Sequence, residues 1–456
     1  MTAMTRAAGA SESVERGRPD PHGRPSSPLT VAAAVSLSLL GDSLLYAVLP
    51  SQAAALGIPL VLVGVLLSVN RFVRFVTNSW AGAVYARRGR QRPFFLAMVG
   101  ATLTTLAYAP PWGFWPFLLA RALWGACFSF LRMGQMLAVL QSARTAERGR
   151  RLGQVQAVSR IGTVFALVVG GYLTDHLGYR FTIMLFGALT AVGAAIALRD
   201  WWTTRARPAD VSGQHETSSS SAAIPAAAPG GLDPSDGTGA AAARDNRPDG
   251  HFNRQAAVIY VAGFAQGFAG FGLVMGTLSL LLLQRFGQQV AVPGGAVGVA
   301  TLSGWLLGVR WVLELLLAPA GGRLSDRLGR HSTVLAGIAL QAASLLVLAR
   351  ATSAGATVAS ACVLFAGLVV LAVSLDATAA DLAARGRPTV LMSRYNTAQD
   401  LGAALGPSVG YTLGETIGLS GMYAGLAALL VVVAGLFVAS FREAGRTPAA
   451  RGLGAG

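Results

Sequence analysis

The feature that most constrains this chain is a series of twelve apolar stretches, each about as long as a lipid bilayer is thick. They lie at roughly 29–55, 59–84, 93–112, 114–140, 152–174, 178–198, 255–284, 294–320, 332–350, 355–383, 391–414 and 419–441. A membrane-spanning helix needs about 20 residues at 1.5 Å rise per residue. We therefore predict an all-α membrane protein whose twelve transmembrane helices form two pseudo-symmetric six-helix bundles.

Composition and charge agree with a membrane protein. Hydrophobic residues make up 53% of the chain and charged residues only 12%, which excludes an ordinary soluble domain. The net charge of +16 comes from arginines that lie between the apolar stretches, mostly in alternate loops. This is the positive-inside pattern, so we predict that both termini are cytoplasmic in a multi-pass protein of the inner (plasma) membrane. We therefore expect the arginines to lie beside the lipid bilayer, and we expect no nucleic-acid partner.

The chain divides into five segments by composition. We predict a disordered cytoplasmic tail at 1–28, a six-helix bundle at 29–199, a flexible cytoplasmic linker at 200–253, a second bundle at 254–441 and a cytoplasmic tail at 442–456. The linker is rich in Ser, Ala, Gly, Pro and charge, and has few bulky apolar residues with which to form a core.

The two bundles share an internal repeat with a constant offset of 240 residues over several helices. Gly82 matches Gly322 and Gly170 matches Gly410, near opposite ends of the halves. Agreement of one offset at both ends indicates a duplication. Parallel repeats about an axis normal to the membrane are an architecture of secondary transporters.

A loop motif supports this interpretation. The run Gly322-Arg-Leu-Ser-Asp326-Arg327-Leu-Gly329-Arg330 resembles the loop signature of the major facilitator superfamily. Its two glycines are expected to permit a tight turn between the eighth and ninth helices, and Asp326 to cap a helix or pair with Arg. The first-half copy keeps the glycines and arginines, but has Ala86 in place of the acid.

The resemblance implies a secondary active transporter that works by alternating access on a small-molecule substrate. Arg121 and the small residues after it are similar to a helix-four pattern of the family's proton antiporters. The helix-five pattern of drug antiporters is only partly present, since Ala166 and Leu167 replace its Gly-Pro. We expect no enzyme activity, no cofactor and no metal site, because the histidines lie in loops, tails or helix ends and the two cysteines in apolar segments. We also expect a monomer.

Polar side chains inside the predicted membrane region are the candidates for a substrate and proton cavity, because such groups are costly there unless they are paired or hydrated. They are Asp42, Asn70, Arg71, Arg121, Arg132, Gln135 and Asp376. Asp42 either carries a coupling proton or simply pairs with Arg121 or Arg132. The arginines either bind an anionic or strongly polar solute or pair internally.

The repeat also predicts a gate of two ion pairs. The offset places Arg74 on Glu314 and Arg160 on Asp400. In the family, helix two packs on helix eleven and helix five on helix eight, so the resemblance pairs Arg74 with Asp400 and Arg160 with Glu314. We expect both pairs to be closed when the cavity faces outward and open when it faces inward. The alternative is an intrahelical pair between Arg310 and Glu314, four residues apart.

Three functions are open at this point. The first is export of a drug or metabolite driven by inward proton flow, which the drug-antiporter fragments favour. The second is proton-coupled uptake of an anionic metabolite, which the arginines inside the membrane favour. The third is a non-transporting membrane sensor or scaffold.

Overall fold

A computed structural model describes residues 27–142, 147–205, 250–292, 295–386 and 388–442, and its twelve long helices confirm the prediction. Helices α1 to α6 are Pro28–Gln52, Leu60–Arg88, Gln91–Leu106, Phe114–Ser142, Arg148–Leu177 and Tyr179–Arg205. Helix α7 has three consecutive segments, an α-helical Gly250–Gln266, a π-helical Gly267–Val274 and an α-helical Met275–Phe286. Helices α8 to α12 are Val299–Leu328, Arg330–Arg350, Ala354–Ala383, Pro388–Thr416 and Gly418–Arg442.

Ten of these helices are long and apolar enough to span a membrane by length and hydropathy alone. The other two are α3 and α11. Helix α3 has only 16 residues, and α11 carries polar side chains such as Gln399 and Asp400. We predicted membrane spans at both positions because the prediction used the regular spacing of the apolar stretches as well as the hydropathy of each one.

A small β-hairpin between α7 and α8 was not predicted. Strands β1 (Gln289–Val292) and β2 (Gly295–Gly298) pair antiparallel, with Val290 opposite Val297. Valine favours extended structure, and each strand contains at least one valine. Helix α8 therefore begins at Val299, later than the predicted start at residue 294.

The loop signature is mostly helical, which corrects the expected turn. Helix α8 continues through Gly322 and Asp326 to Leu328, and the chain turns only at Gly329, whose φ is 88°. A side chain is disfavoured at that φ, so this glycine is needed for the turn while Gly322 is not. The first-half copy behaves in the same way, with α2 ending at Arg88 and Gly89 at a φ of 68°.

The predicted tails and linker lie almost wholly outside the described residues. Helix α6 continues to Arg205 and α7 begins at Gly250, so the helices extend into the predicted linker at both ends. The rest of the segment boundaries stay predictions.

The two halves pack through α5 against α8 and α2 against α11, with α1 against the last segment of α7 and against α8. At the α5–α8 crossing the backbone of Gly304 lies directly on the carbonyl of Leu167, where a β-carbon would clash. We call the end where α1 begins, with the α2–α3 and α8–α9 turns, the basic end. The opposite end, with the α1–α2, α5–α6 and α7–α8 connections, is the far end.

Candidate functional site

The far end of the molecule is closed by a contact between the halves that the sequence analysis missed. The carboxylate of Asp175, at the end of α5, accepts hydrogen bonds from the backbone N–H of Thr301 (2.7 Å) and from its hydroxyl (2.6 Å). Thr301 lies in the first turn of α8, whose first N–H groups have no partner within the helix. Asp175 therefore caps a helix of the other half. The repeat, which matches Asp175 with Glu415, was the available signal.

Two further contacts join the halves nearer the middle of the helices. The hydroxyl of Ser408 in α11 lies 2.8 Å from that of Ser68 in α2, and the backbone N–H of Ser408 donates to Ser68 at 3.2 Å. The hydroxyl of Ser279 in α7 donates to the carbonyl of Ala47 in α1 at 2.5 Å. The first and second halves are thus held together from the far end inward.

A buried cluster in the first half contains three of the predicted cavity residues. The carboxylate of Asp42 accepts from the guanidinium of Arg121 and, at 3.0 Å, from the side-chain amide of Asn70. Arg121 also donates to the carbonyl of Leu66 at 2.9 Å, and its side chain is fully buried. Of the two alternatives for Asp42, this structure shows the ion pair.

A second cluster lies between the halves and contains the predicted pair Arg160–Glu314, whose atoms are 2.9 Å apart. The intrahelical alternative is present as well, with Arg310 3.4 Å from the other carboxylate oxygen. Both guanidiniums stack on the ring of Trp311, at 3.9 Å for Arg160 and 4.3 Å for Arg310. Two cations therefore share one acid and one indole ring.

This second cluster has donors without acceptors. Within the described residues, Nε and Nη1 of Arg310 and Nε1 of Trp311 are buried and have no hydrogen-bond partner, and the same holds for one acceptor, Oε2 of Glu314. Arg71 lies nearby and donates to the carbonyl of Phe271, in the π-helical segment of α7, at 3.3 Å. Buried donors without acceptors are costly, so the cluster is suited to a solute that brings an anionic or polar acceptor group.

The other predicted gate pair is not formed. Asp400 is exposed, Arg74 lies over the ring of Phe128 at 5.4 Å, and no ion pair joins the two among the described residues. The two gate pairs are therefore in different states, whereas we expected them to close and open together. We also expected both pairs to be open when the far end is closed, and Arg160–Glu314 is formed although Asp175 joins the halves at that end. Glu314 stays paired because Arg160 and Arg310 are both held beside it on Trp311.

Asp376 lies toward the basic end and is exposed. Its carboxylate accepts from the hydroxyl of Tyr395 at 2.6 Å and from the amide of Gln399 at 3.4 Å. Both partners are neutral, so this acid, unlike Asp42, forms no ion pair with a described residue.

Two predicted cavity residues of α4, Gln135 and Arg132, lie near Arg160 of the second cluster. The amide of Gln135 donates to the hydroxyl of Ser159 at 2.7 Å, so it joins α4 to α5. Arg132 is exposed and forms no ion pair with a described residue.

The loop signature forms a charge cluster at the basic end. Arg330 lies 3.1 Å from Asp326 and also pairs with Asp381 of α10. Arg327 is exposed and is not part of this cluster. The pairing expected for Asp326 is thus present.

Comparison with known proteins identifies the type of fold. The family model described as the Major Facilitator Superfamily matches residues 31–307 and 298–455. A bacterial homolog of the human lysosomal transporter Spinster, solved in an inward-facing and occupied conformation, superposes with a TM-score of 0.67 at 13% identity, over 91% of this chain and 96% of that one. The nucleoside transporter NupG superposes with a TM-score of 0.65 at 13% identity, over 91% and 98%.

Curated relatives match over shorter stretches. The Multidrug resistance protein MdtG of Klebsiella pneumoniae (strain 342) is 25% identical over 126 residues, which are 28% of this chain and 30% of that protein. The Puromycin resistance protein pur8 of Streptomyces alboniger is 33% identical over 139 residues, 29% of this chain and 27% of that protein. The chain thus matches less than a third of the length of these relatives.

Proposed function

Because the chain belongs to the Major Facilitator Superfamily and is therefore a multi-pass membrane transporter, we propose that it exports a small organic solute by alternating access, driven by inward proton flow. We place it in the bacterial inner membrane with both termini, and hence the basic end, in the cytoplasm. The excess of arginine at that end supports this orientation.

The observation that carries the proposal is the closure of the far end over a set of charged side chains. Asp175 joins the halves at that end and Ser408 joins them nearer the middle of the helices. Arg132, Asp376 and Asp400 are exposed toward the basic end. A solute from the cytoplasm would reach the Arg310 cluster and be blocked beyond it. Release on the other side would need the far-end contacts to break, which is the alternation that such a transporter requires.

Two acids are suited to carry the proton in this proposal. Asp42 is bound to Arg121 and Asn70, so protonation of its carboxylate would free Arg121. Asp376 has only neutral partners and is accessible from the basic end. In this proposal, each of the two carboxylates binds a proton in one conformation of the transporter and releases it in the other. The printed names of the relatives, multidrug and puromycin resistance, support export of a drug.

Inside-out membrane vesicles with an acidic lumen test this proposal. The basic end then faces the medium, so an antiporter would concentrate the solute in the lumen as protons leave. We expect puromycin or another organic drug to dissipate the pH gradient, and Asp376→Asn to reduce this response at least about tenfold. The control is Glu147→Gln, because Glu147 is a surface acid whose only described partner is Arg151, at 4.0 Å. Equal responses from both variants would remove Asp376 from the coupling.

The second candidate is proton-coupled uptake of an anionic metabolite. It is favoured by the unpartnered donors of Arg310 and Trp311 and by the excess of cations around Glu314. The same vesicles separate the two functions. Solute movement in the same direction as the proton, with organic anions and without cationic drugs, would establish uptake and exclude the proposed export.

A further inference from the structure

A groove on the outside of the first bundle is separate from the contacts between the halves. It has a volume of about 700 Å³ and lies between α2, α3 and α4. Its walls include Trp80, Leu96 and Leu123, whose side chains are 58%, 54% and 50% exposed. Large apolar side chains that are exposed on a membrane-spanning bundle face acyl chains. The groove is therefore open to lipid.

Three arginines form one end of this groove. Arg87 and Arg88 lie in the last turn of α2, and Arg92 lies in the first turn of α3. All three are exposed, and none forms an ion pair with a described residue. The described residues that line the groove include no acid. The groove is thus apolar along the bundle and strongly cationic at the basic end.

Arg330 of the second bundle has acidic partners, which the groove arginines do not have among the described residues. There, Asp326 and Asp381 both bind Arg330. With the offset of 240 residues, their first-half equivalents are the neutral residues Ala86 and Gln141. Asp200, an acid at the basic end of the first bundle, binds the buried Arg90 at 2.9 Å. Among the described residues, the groove arginines have no acidic partner like those that the second bundle supplies to Arg330.

We propose that this groove binds one anionic phospholipid, with its phosphate on the three arginines and an acyl chain along the apolar walls. Guanidinium groups bind phosphate through paired N–H donors, and a basic cluster at the cytoplasmic surface attracts anionic headgroups. Trp80 lies seven residues before Arg87, or about 10 Å along α2 at 1.5 Å per residue. That distance suits a headgroup at the arginines and the upper part of a chain beside Trp80. The site does not depend on the transported solute.

Native mass spectrometry of the full chain in detergent tests the proposal. Phosphatidylglycerol and phosphatidylcholine with the same acyl chains are titrated separately. We expect one phosphatidylglycerol to bind more tightly than phosphatidylcholine, and the triple variant Arg87→Gln, Arg88→Gln, Arg92→Gln to bind it about tenfold more weakly. The control triple variant, Arg323→Gln, Arg327→Gln, Arg385→Gln, removes the same charge from the other bundle and should bind within about twofold of the wild type.

Equal losses of phosphatidylglycerol affinity in the two triple variants would show that the whole basic surface attracts the lipid, and would overturn the site. Unchanged affinity in the variant of Arg87, Arg88 and Arg92 would also overturn it. A fourth protein tests the apolar part. Ala126→Phe narrows the groove at α4 and keeps all three arginines, so it should also weaken phosphatidylglycerol binding. Unchanged binding of phosphatidylglycerol by this variant would show that the acyl chain does not lie in the groove.

Discussion

Asp42 and Arg121 illustrate what the structure adds at the scale of single residues. Sequence alone identifies both as ionisable groups inside the membrane and leaves open whether they pair. Pairing depends on a packing detail, the approach of α2 to α4 that brings the Leu66 carbonyl to Arg121. No spacing along the chain encodes that approach. The identity of such residues is therefore predictable, and their partners are not.

The first prediction concerns this buried pair. Asp42→Asn leaves Arg121 charged and without its acid, so it should cost about 3 to 5 kcal/mol of folding free energy. Thermal unfolding in detergent would show it as a lower midpoint. The double variant Asp42→Asn, Arg121→Gln should recover part of the loss, and Asp376→Asn, whose partners are neutral, should change the midpoint little. A midpoint for Asp42→Asn equal to that of the wild type would contradict the importance of the pair.

The second prediction concerns Arg160 and Glu314. Glu314→Arg would place three guanidiniums around Trp311 and should reduce transport at least about tenfold. Arg160→Glu should reduce transport less, because Arg310 can still pair with Glu314 and with the new carboxylate. The exchange of both residues restores one ion pair and should recover part of the activity, measured as solute flux into vesicles. If the double variant is no better than Glu314→Arg, the pair does not contribute to the gate.

At the scale of helices and strands, the existence and order of the twelve helices follow from the apolar stretches, but their ends do not. Helix α8 extends through Gly322 because a glycine can be helical as well as turned, and only the positive φ of Gly329 identifies the turn. The hairpin after α7 was missed because its valines are as apolar as those of a span. Periodic apolar content predicts helices well and short connections poorly.

The third prediction concerns the cap between α5 and α8. Asp175→Asn keeps the shape of the side chain but weakens its bonds to Thr301, since it removes the charge, at a cost of about 1 kcal/mol. The far end should then open several-fold more often. Labelling of Ser68→Cys by a membrane-impermeant maleimide, with Cys127 and Cys362 replaced by Ala, would measure this as a faster rate. Glu415→Gln, at the repeat-related position, is the matched control, and equal rates in both variants would contradict the cap as a latch.

At the scale of the whole molecule, the family resemblance implies which helices of the two halves face each other, and the structure has α5 on α8 and α2 on α11. The repeat does not predict the state of the contacts, because the offset treats the halves as equivalent. Asp175 caps α8, whereas its repeat partner Glu415 forms no side-chain hydrogen bond or ion pair with a described residue. The asymmetry between the two halves lies in such differences between matched positions.

The fourth prediction tests alternation of the whole molecule. Cysteines in place of Ser68 and Ser408, whose hydroxyls are 2.8 Å apart across the halves, should form a disulfide that holds this contact closed and stops transport until it is reduced. The control pair replaces Thr77 and Ser129, which are 2.7 Å apart within the first half. Cross-linking of the control should leave flux unchanged. Full activity of the oxidised Ser68–Ser408 variant would exclude separation of α2 from α11 during transport.

The π-helical part of α7 has a mechanical consequence. A π-helix pairs each residue with the fifth along, so a change of that segment to α-helical pairing alters the register of everything after it. Each residue of register corresponds to a rotation of about 100° and a shift of 1.5 Å along the axis. The segment Met275–Phe286 would rotate about the helix axis and shift along it at the same time. This segment contains Ser279, which donates a hydrogen bond to the carbonyl of Ala47. A change of hydrogen-bond register in the middle of α7 would thus be converted into the twisting of one half against the other.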